Sequence, residues 1–283
     1  MSRRLALQEA EAEASSVVGT CCVTALPVCV LGIAVGEDIV VQPKQSDEPG
    51  VSGVFMRVGN AFGIQYSVHI NNDGFRRFTV AHELGHYFLP GHIETLLPDG
   101  QSRHMSRSGF VSDDRFERQA DFFAAALLMP EGLFTAALLN AGEGFEAVKT
   151  LAETCRTSIT ATAIRYARFA EDPVAVVVSS GNKVGFCALS QALRDVKGVR
   201  PLAKGSLMPP RSTTVKFNRD EANVAGCREE GGWSSLDDWF DDAPEVEMKE
   251  DVVGLGHYGK TLTVLFTAEA IGSDEDDEGE DEE

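Results

Sequence analysis

Phe78-Thr79-Val80-Ala81-His82-Glu83-Leu84-Gly85-His86 carries the pattern H-E-x-x-H at residues 82–86. Helix positions four apart share a face, so His82 and His86 present their imidazoles side by side. Two neutral imidazoles so placed can hold one zinc ion. Glu83 is offset from the pair, where its carboxylate can reach a water beside the metal rather than the metal itself. Val80, Leu84, Phe88 and Leu89 surround the motif and Pro90-Gly91 closes it, so a largely buried helix from about Arg76 to Leu89 is expected. The bland alternative is a core helix that carries two hydrogen-bonded histidines.

Catalytic zinc commonly takes three protein ligands and keeps one position open. Two residues compete for the third. His92 gives the metzincin spacing H-E-x-x-H-x-x-x-x-x-H, but Leu89 stands where that pattern needs glycine, and the turn glycine is displaced to Gly91. Without a chain reversal at 89, His92 is carried away from the metal. Glu117 is the better candidate. It sits on the next strongly periodic helix, Arg115–Leu128, and Asp121 follows four residues later on the same face. This E-x-x-x-D is a gluzincin-like arrangement: the glutamate binds zinc, and the aspartate can hydrogen-bond a ligating histidine and fix its tautomer. An ordinary exposed helix face is the alternative for both carboxylates.

Outward from these helices, residues 5–18 read as an amphipathic helix, and Pro27 could start a short second one. Asp38–Gln42, Val51–Val58 and Phe62–Ile70 are strand candidates, with Gly59-Asn60 as a turn between the last two. Residues 98–114 read as a polar loop, and shorter helices are expected at 131–140, 144–154 and 158–169. Composition shifts after Asp172-Pro173. Val174–Ser179 and Val184–Leu189 flank Ser180-Gly181-Asn182 as a hairpin, and strands are plausible at 213–218 and 261–267. The expected architecture is α+β: a gluzincin-like zinc domain with a helical bundle appendage (1–172), a small mixed α/β or β-rich C-terminal domain (173–271) and a disordered acidic tail (272–283).

The 283 residues are 43% hydrophobic, enough for a real core. The formal charge is −19; residues 274–283 carry nine of those charges and no base, leaving −10 on the rest. Such a chain repels nucleic acid and suits a basic or neutral protein partner. Leu151–Phe169 could form a helix-turn-helix, but its few basic residues favour a packed bundle or a substrate-docking surface over DNA binding. Six cysteines without a C-x-x-C pair suggest reduced thiols. No signal-peptide pattern opens the chain, and the apolar stretch Val23–Val35 is short and holds Pro27 and Gly32, so a cytoplasmic protein without a membrane span is expected. Trp233 and Trp239, among Asp237, Asp238, Asp241 and Asp242, form either an acidic-aromatic patch or a capped surface helix.

Arg77–His86, then Glu117-Arg118-Gln119-Ala120-Asp121-Phe122-Phe123-Ala124-Ala125, then Leu127-Leu128-Met129-Pro130 together resemble the ImmA/IrrE metallopeptidases. Ile70-Asn71 and the Pro27–Val35 segment also fit, and the similarity covers roughly residues 20–170. The resemblance implies Zn2+ bound by His82, His86 and Glu117, with Glu83 as catalytic acid and base and Asp121 behind a ligand. It also implies a bacterial or phage protease that cleaves a helix-turn-helix repressor and so switches on genes for a stress response or a mobile element. For the oxyanion donor, Tyr66, Tyr87, His92 and His104 are equal candidates. The rival class is a binding protein that uses the metal structurally and inhibits its partner without cutting it; the intact Glu83 weighs against it.

Overall fold

Alanine recurs every fourth residue along the first helix, α1 (Arg3–Thr20), where Ala6, Ala10, Ala14 and then Val17 are buried. In this computed structural model, described for residues 3–44, 50–68, 72–99, 101–107, 114–267 and 271, that stripe belongs to the first of two units. Unit 1 comprises Met1–Ala137 and Leu151–Ala161; unit 2 comprises Leu138–Thr150 and Thr162–Glu283.

Unit 1 continues with α2 (Val30–Gly36), β1 (Val40–Lys44), β2 (Val51–Val58), β3 (Ala61–Ser67), α3 (Asp73–Phe88), α4 (His92–Leu96), β4 (Arg103–Arg107), α5 (Arg115–Leu128) and α6 (Glu131–Leu138). Its sheet runs β1-β3-β2-β4, with β1 parallel to β3 and the other pairs antiparallel. The helix expected to start at Pro27 starts at Val30 instead, because Cys29 Sγ caps it by accepting from Gly32 N at 3.4 Å. The segment 98–114, expected as loop, contains β4, which pairs with β2 from Val51↔Arg107 to Met56↔Arg103. Its sequence, Arg-His-Met-Ser-Arg, has too little apolar alternation to announce a strand.

The helix that carries the histidines begins at Asn72, whose side chain accepts from Phe75 N at 3.0 Å, and ends at Leu89 before Pro90. Residues Thr79 to His86 are all buried, between β2 and β3 on one side and α5 on the other. Helices α3 and α5 approach through Gly85: a Cβ there would stand 3.1 Å from Ala120 Cα and from Phe123 Cδ1. Helix α5 is capped by Asp114, which accepts from Phe116 N at 2.7 Å and Glu117 N at 3.3 Å, and α1 covers its far flank. Arg77 ties α3 to its surroundings by donating to the carbonyls of Val28, Cys155 and Arg156, at 2.8, 3.5 and 3.2 Å.

The division between units falls inside α6 and again inside α7 (Gly144–Cys155) and α8 (Ile159–Phe169), which contain the Leu151–Phe169 stretch. Of its arginines, Arg156 pairs with Asp73 at 2.9 Å, and Arg165 and Arg168 lie over the Phe169 ring. Unit 2 continues with β5 (Val174–Ser180), β6 (Lys183–Leu189), α9 (Gln191–Asp195), α10 (Thr213–Phe217), α11 (Glu221–Ala225), β7 (Glu229–Ser235), α12 (Leu236–Trp239), β8 (Glu247–Gly254) and β9 (Thr261–Phe266). Its sheet is antiparallel throughout in the order β6-β5-β9-β8-β7. Strands β5 and β9 are buried on both faces, and Val177, Leu193, Leu236, Trp239, Met248 and Leu265 form part of one core. Trp233 is 63% exposed and Trp239 only 3%, so the two tryptophans do not share a surface.

The strand expected at 213–218 is instead the helix α10. Thr-Thr-Val-Lys-Phe is β-branched and reads as strand, but Ser212 caps it, and the buried carboxylate of Glu250 accepts from Thr213 N at 3.0 Å and Thr214 N at 2.7 Å. Glu250 also accepts from the hydroxyls of Thr214 and Ser234. Residues 69–70 of the third strand candidate and the tail 272–283 lie outside the described residues. Glu250→Ala strands the buried N–H groups of Thr213 and Thr214, each worth about 1–3 kcal/mol when left unpaired, and leaves the Thr214 hydroxyl with Thr263 alone. Chemical denaturation should show unit 2 destabilised by at least about 2 kcal/mol.

Candidate metal centre

Helical spacing sets His82 Nε2 and His86 Nε2 3.1 Å apart on one face of α3. The close α3–α5 approach brings Glu117 over that face, with Oε2 3.4 Å from His82 Nε2 and Oε1 3.4 Å from His86 Nε2. The three donors lie within 4.8 Å of one another, the only such group among the described residues. Donors bound at about 2.0–2.1 Å to a tetrahedral zinc stand about 3.3 Å from each other. The observed spacings match the edges of that tetrahedron, and two imidazoles with one carboxylate are a donor set suited to zinc. The site therefore fits a metal.

Each donor residue has its own partner. Asp121 Oδ1, one turn beyond Glu117, lies 2.9 Å from His82 Nδ1. His92 Nδ1 lies 2.9 Å from His86 Nδ1. His104 Nε2, on β4, lies 2.8 Å from Glu117 Oε1. The chain does reverse after α3: Leu89 is extended and Gly91 takes φ +79°, a left-handed conformation that favours glycine. The reversal returns His92 to the Nδ1 side of His86, away from the Nε2 that faces the donor cluster.

Glu83 is fully buried on the strand side of α3, and neither carboxylate oxygen has a hydrogen-bond partner. The Ser106 hydroxyl lies near enough to favour the charged form of Glu83, but no hydrogen bond of good geometry closes between them. Room for the carboxylate comes from Gly53 on β2, where a Cβ would collide with Glu83 Oε1 and stand 2.7 Å from Thr79 Cγ2. Burial pushes the Glu83 carboxyl up to about 7, against the pull of His82. Burial alone would lower His82, but its hydrogen bonds to Asp121 and Glu117 hold it up to about 10. Burial pushes His86 down to about 3 and His92 down to about 4. Burial opposes the Glu117 charge too, yet hydrogen bonds from His104, His82 and His86 hold its carboxyl well below the usual carboxylate range. The field that keeps positive charge on His82 is one that suits a cation.

The structure thus brings together His82, His86, Glu117, Asp121 and Glu83. Of the four oxyanion candidates, Tyr87 donates to Glu37 Oε2 at 3.1 Å, while His92 and His104 face His86 and Glu117. Tyr66 lines a cleft of about 270 Å³ with Ser52, Gly53, Gln65 and Met105. Sequence reasoning missed Gly53 and Ser106, and it missed His92 and His104 as partners of the candidate donors. A glycine inside an apolar strand, a sign of close backbone approach, was the available signal for Gly53.

Residues 37–166 match the family model of the IrrE N-terminal-like domain. The radiation response metalloprotease IrrE of Deinococcus radiodurans is 34% identical over 136 residues, which are 46% of this chain and 40% of that protein. The metallopeptidase ImmA of Bacillus subtilis is 37% identical over 75 residues, 26% of this chain and 40% of that protein. The chain spans about 40% of the length of each of these relatives. A Mycobacterium tuberculosis transcriptional regulator of solved structure shares the fold at a TM-score of 0.55 and 13% identity, over 94% of this chain and 82% of that one.

Loss of the carboxylate behind His82 should weaken the centre without dismantling it. Asp121→Ala is expected to lower metal affinity about 10–100-fold in a competitive chelator titration, with the thermal midpoint little changed.

Proposed function

We propose, from the match of residues 37–166 to the IrrE N-terminal-like domain and the similarity to two metallopeptidases, that the chain is a zinc endopeptidase that cuts a helix-turn-helix transcriptional repressor and so releases its genes. The observation that carries the reading is a buried, unpartnered Glu83 carboxylate beside three donors at metal-ligand spacing. In this reading His82, His86 and Glu117 hold Zn2+, and Asp121 fixes the His82 tautomer by accepting its Nδ1–H. When bound, the ion would supply Lewis acidity toward water and a peptide carbonyl. Glu83, with no other hydrogen bond to give up, takes a proton from the attacking water and returns it to the leaving amine. Gly53 keeps that carboxylate in place, and the β2 and β3 backbone around it excludes bulk water.

The net charge of −19 supports a basic partner, as a DNA-binding repressor is, and disfavours DNA itself. Residues 1–172 are proposed as the peptidase domain with its helical appendage, and 173–271 as a regulatory or substrate-binding domain. No single helix among the described residues is long and apolar enough to cross a membrane, consistent with a cytoplasmic setting for a repressor substrate. The rival, a metal-stabilised binder that inhibits without cutting, has no use for Glu83, since burying an unpartnered carboxylate is costly.

Incubation with the repressors encoded beside its gene, with and without chelator, tests the reading. Fragments that form only without chelator support the enzyme; tight binding without fragments favours the rival. Glu83→Gln should retain zinc and cut at least about 100-fold more slowly. Gly53→Ala should likewise keep zinc while turnover falls, because its methyl displaces the base and leaves the ligands alone.

A further inference from the structure

Among zincs held by histidine, the second ring nitrogen is usually bound by a carboxylate, a backbone carbonyl or water. His82 follows that rule through Asp121. His86 does not: its Nδ1 faces the ring nitrogen of another histidine at 2.9 Å. Both rings are fully buried, so no water replaces this contact. His92 is held there by the reversal at Gly91 and by Phe116, whose ring stands at 80° to it with centroids 4.9 Å apart.

A nitrogen-to-nitrogen contact at this distance needs one hydrogen between the rings. If His86 gives its Nε2 lone pair to a metal, its hydrogen sits on Nδ1. His92 must then accept at Nδ1 and carry its own hydrogen on Nε2. His92 Nε2 is buried and makes no hydrogen bond. An N–H can face an aromatic ring or an amide edge at modest cost, whereas a bare lone pair there gains nothing.

We propose that His92 is a positioning residue: it accepts the Nδ1–H of His86 and so locks His86 in the one tautomer that offers Nε2 to the metal. The proposal rests on the zinc reading of His82, His86 and Glu117. It reassigns His92 from rival ligand to the device that makes its neighbour a ligand. The two histidines are thereby backed unequally, one by an anion and one by a neutral ring.

The test is nuclear magnetic resonance of the 15N-labelled, zinc-loaded full chain. A scalar coupling between His86 Nδ1 and His92 Nδ1 across the hydrogen bond is expected, with the His92 hydrogen on Nε2. His92→Phe should lower zinc affinity about 10–100-fold, and His92→Asn, whose carbonyl can accept the same hydrogen, should recover part of that loss. Circular dichroism melts show that both variants fold. Zinc bound without the coupling, or His92→Phe binding zinc as tightly as the parent, overturns the proposal and leaves the zinc centre standing. His92→Phe abolishing zinc while Glu117→Gln retains it overturns the proposal by making His92 a ligand. A parent chain that takes up no zinc overturns the functional reading itself, and this proposal with it.

Discussion

The spacing between α3 and α5 is set by the missing side chain at Gly85. Any Cβ there meets the Ala120 backbone at 3.1 Å, so a larger residue pushes the helices apart. His82 and His86 lie on one helix and Glu117 on the other, so this single approach decides whether the three donors meet. Close-packed interiors transmit such displacements because no void is free to absorb them. The rest of unit 1 defends the same spacing. Alanines of α1 lie against the outer flank of α5, and Gln119 of α5 donates to Ala6 O at 3.3 Å. Arg77 anchors α3 to three carbonyls from outside its own helix.

Around that junction, the partners come from different parts of the chain. Asp121 follows from helical periodicity on α5, His92 from the turn after α3, and His104 from strand β4. Charge is distributed unevenly as a result. Two carboxylates flank His82, a neutral ring backs His86, and three imidazoles face Glu117. Glu83 stands apart on the sheet side, where a glycine rather than a polar group makes room for it. A structural centre needs the first arrangement and not the second.

The parts legible in the sequence were those whose spacing is local. H-E-x-x-H and E-x-x-x-D each lie within two turns of one helix, and the apolar period of α3 and α5 announced the scaffold. The pairing of His92 with His86 was not legible, because it depends on a left-handed Gly91 whose effect on direction no periodicity reports. Strand β4, and with it the place of His104, was hidden by a polar five-residue sequence that is strand only because β2 pairs with it. Helix α10 failed in the opposite sense: its β-branched residues favour a strand, and a buried carboxylate 36 residues away in sequence overrides them. Tertiary partners decided each of these cases, and local propensity lost.

Unit 1 is not a continuous stretch of chain. It leaves off at Ala137, resumes at Leu151 and ends at Ala161, and the interruption belongs to unit 2. During synthesis, the carbonyls of Cys155 and Arg156 that hold Arg77 arrive about eighty residues after it, so the helix bearing the histidines is completed late. The intervening piece waits longer. Phe145 N meets Asp251 at 3.2 Å and Gly144 packs on Phe266, partners made more than a hundred residues afterwards. The order in which the ribosome delivers the chain therefore ties the finishing of one unit to a segment whose own partners do not yet exist, and no single truncation separates the two units cleanly.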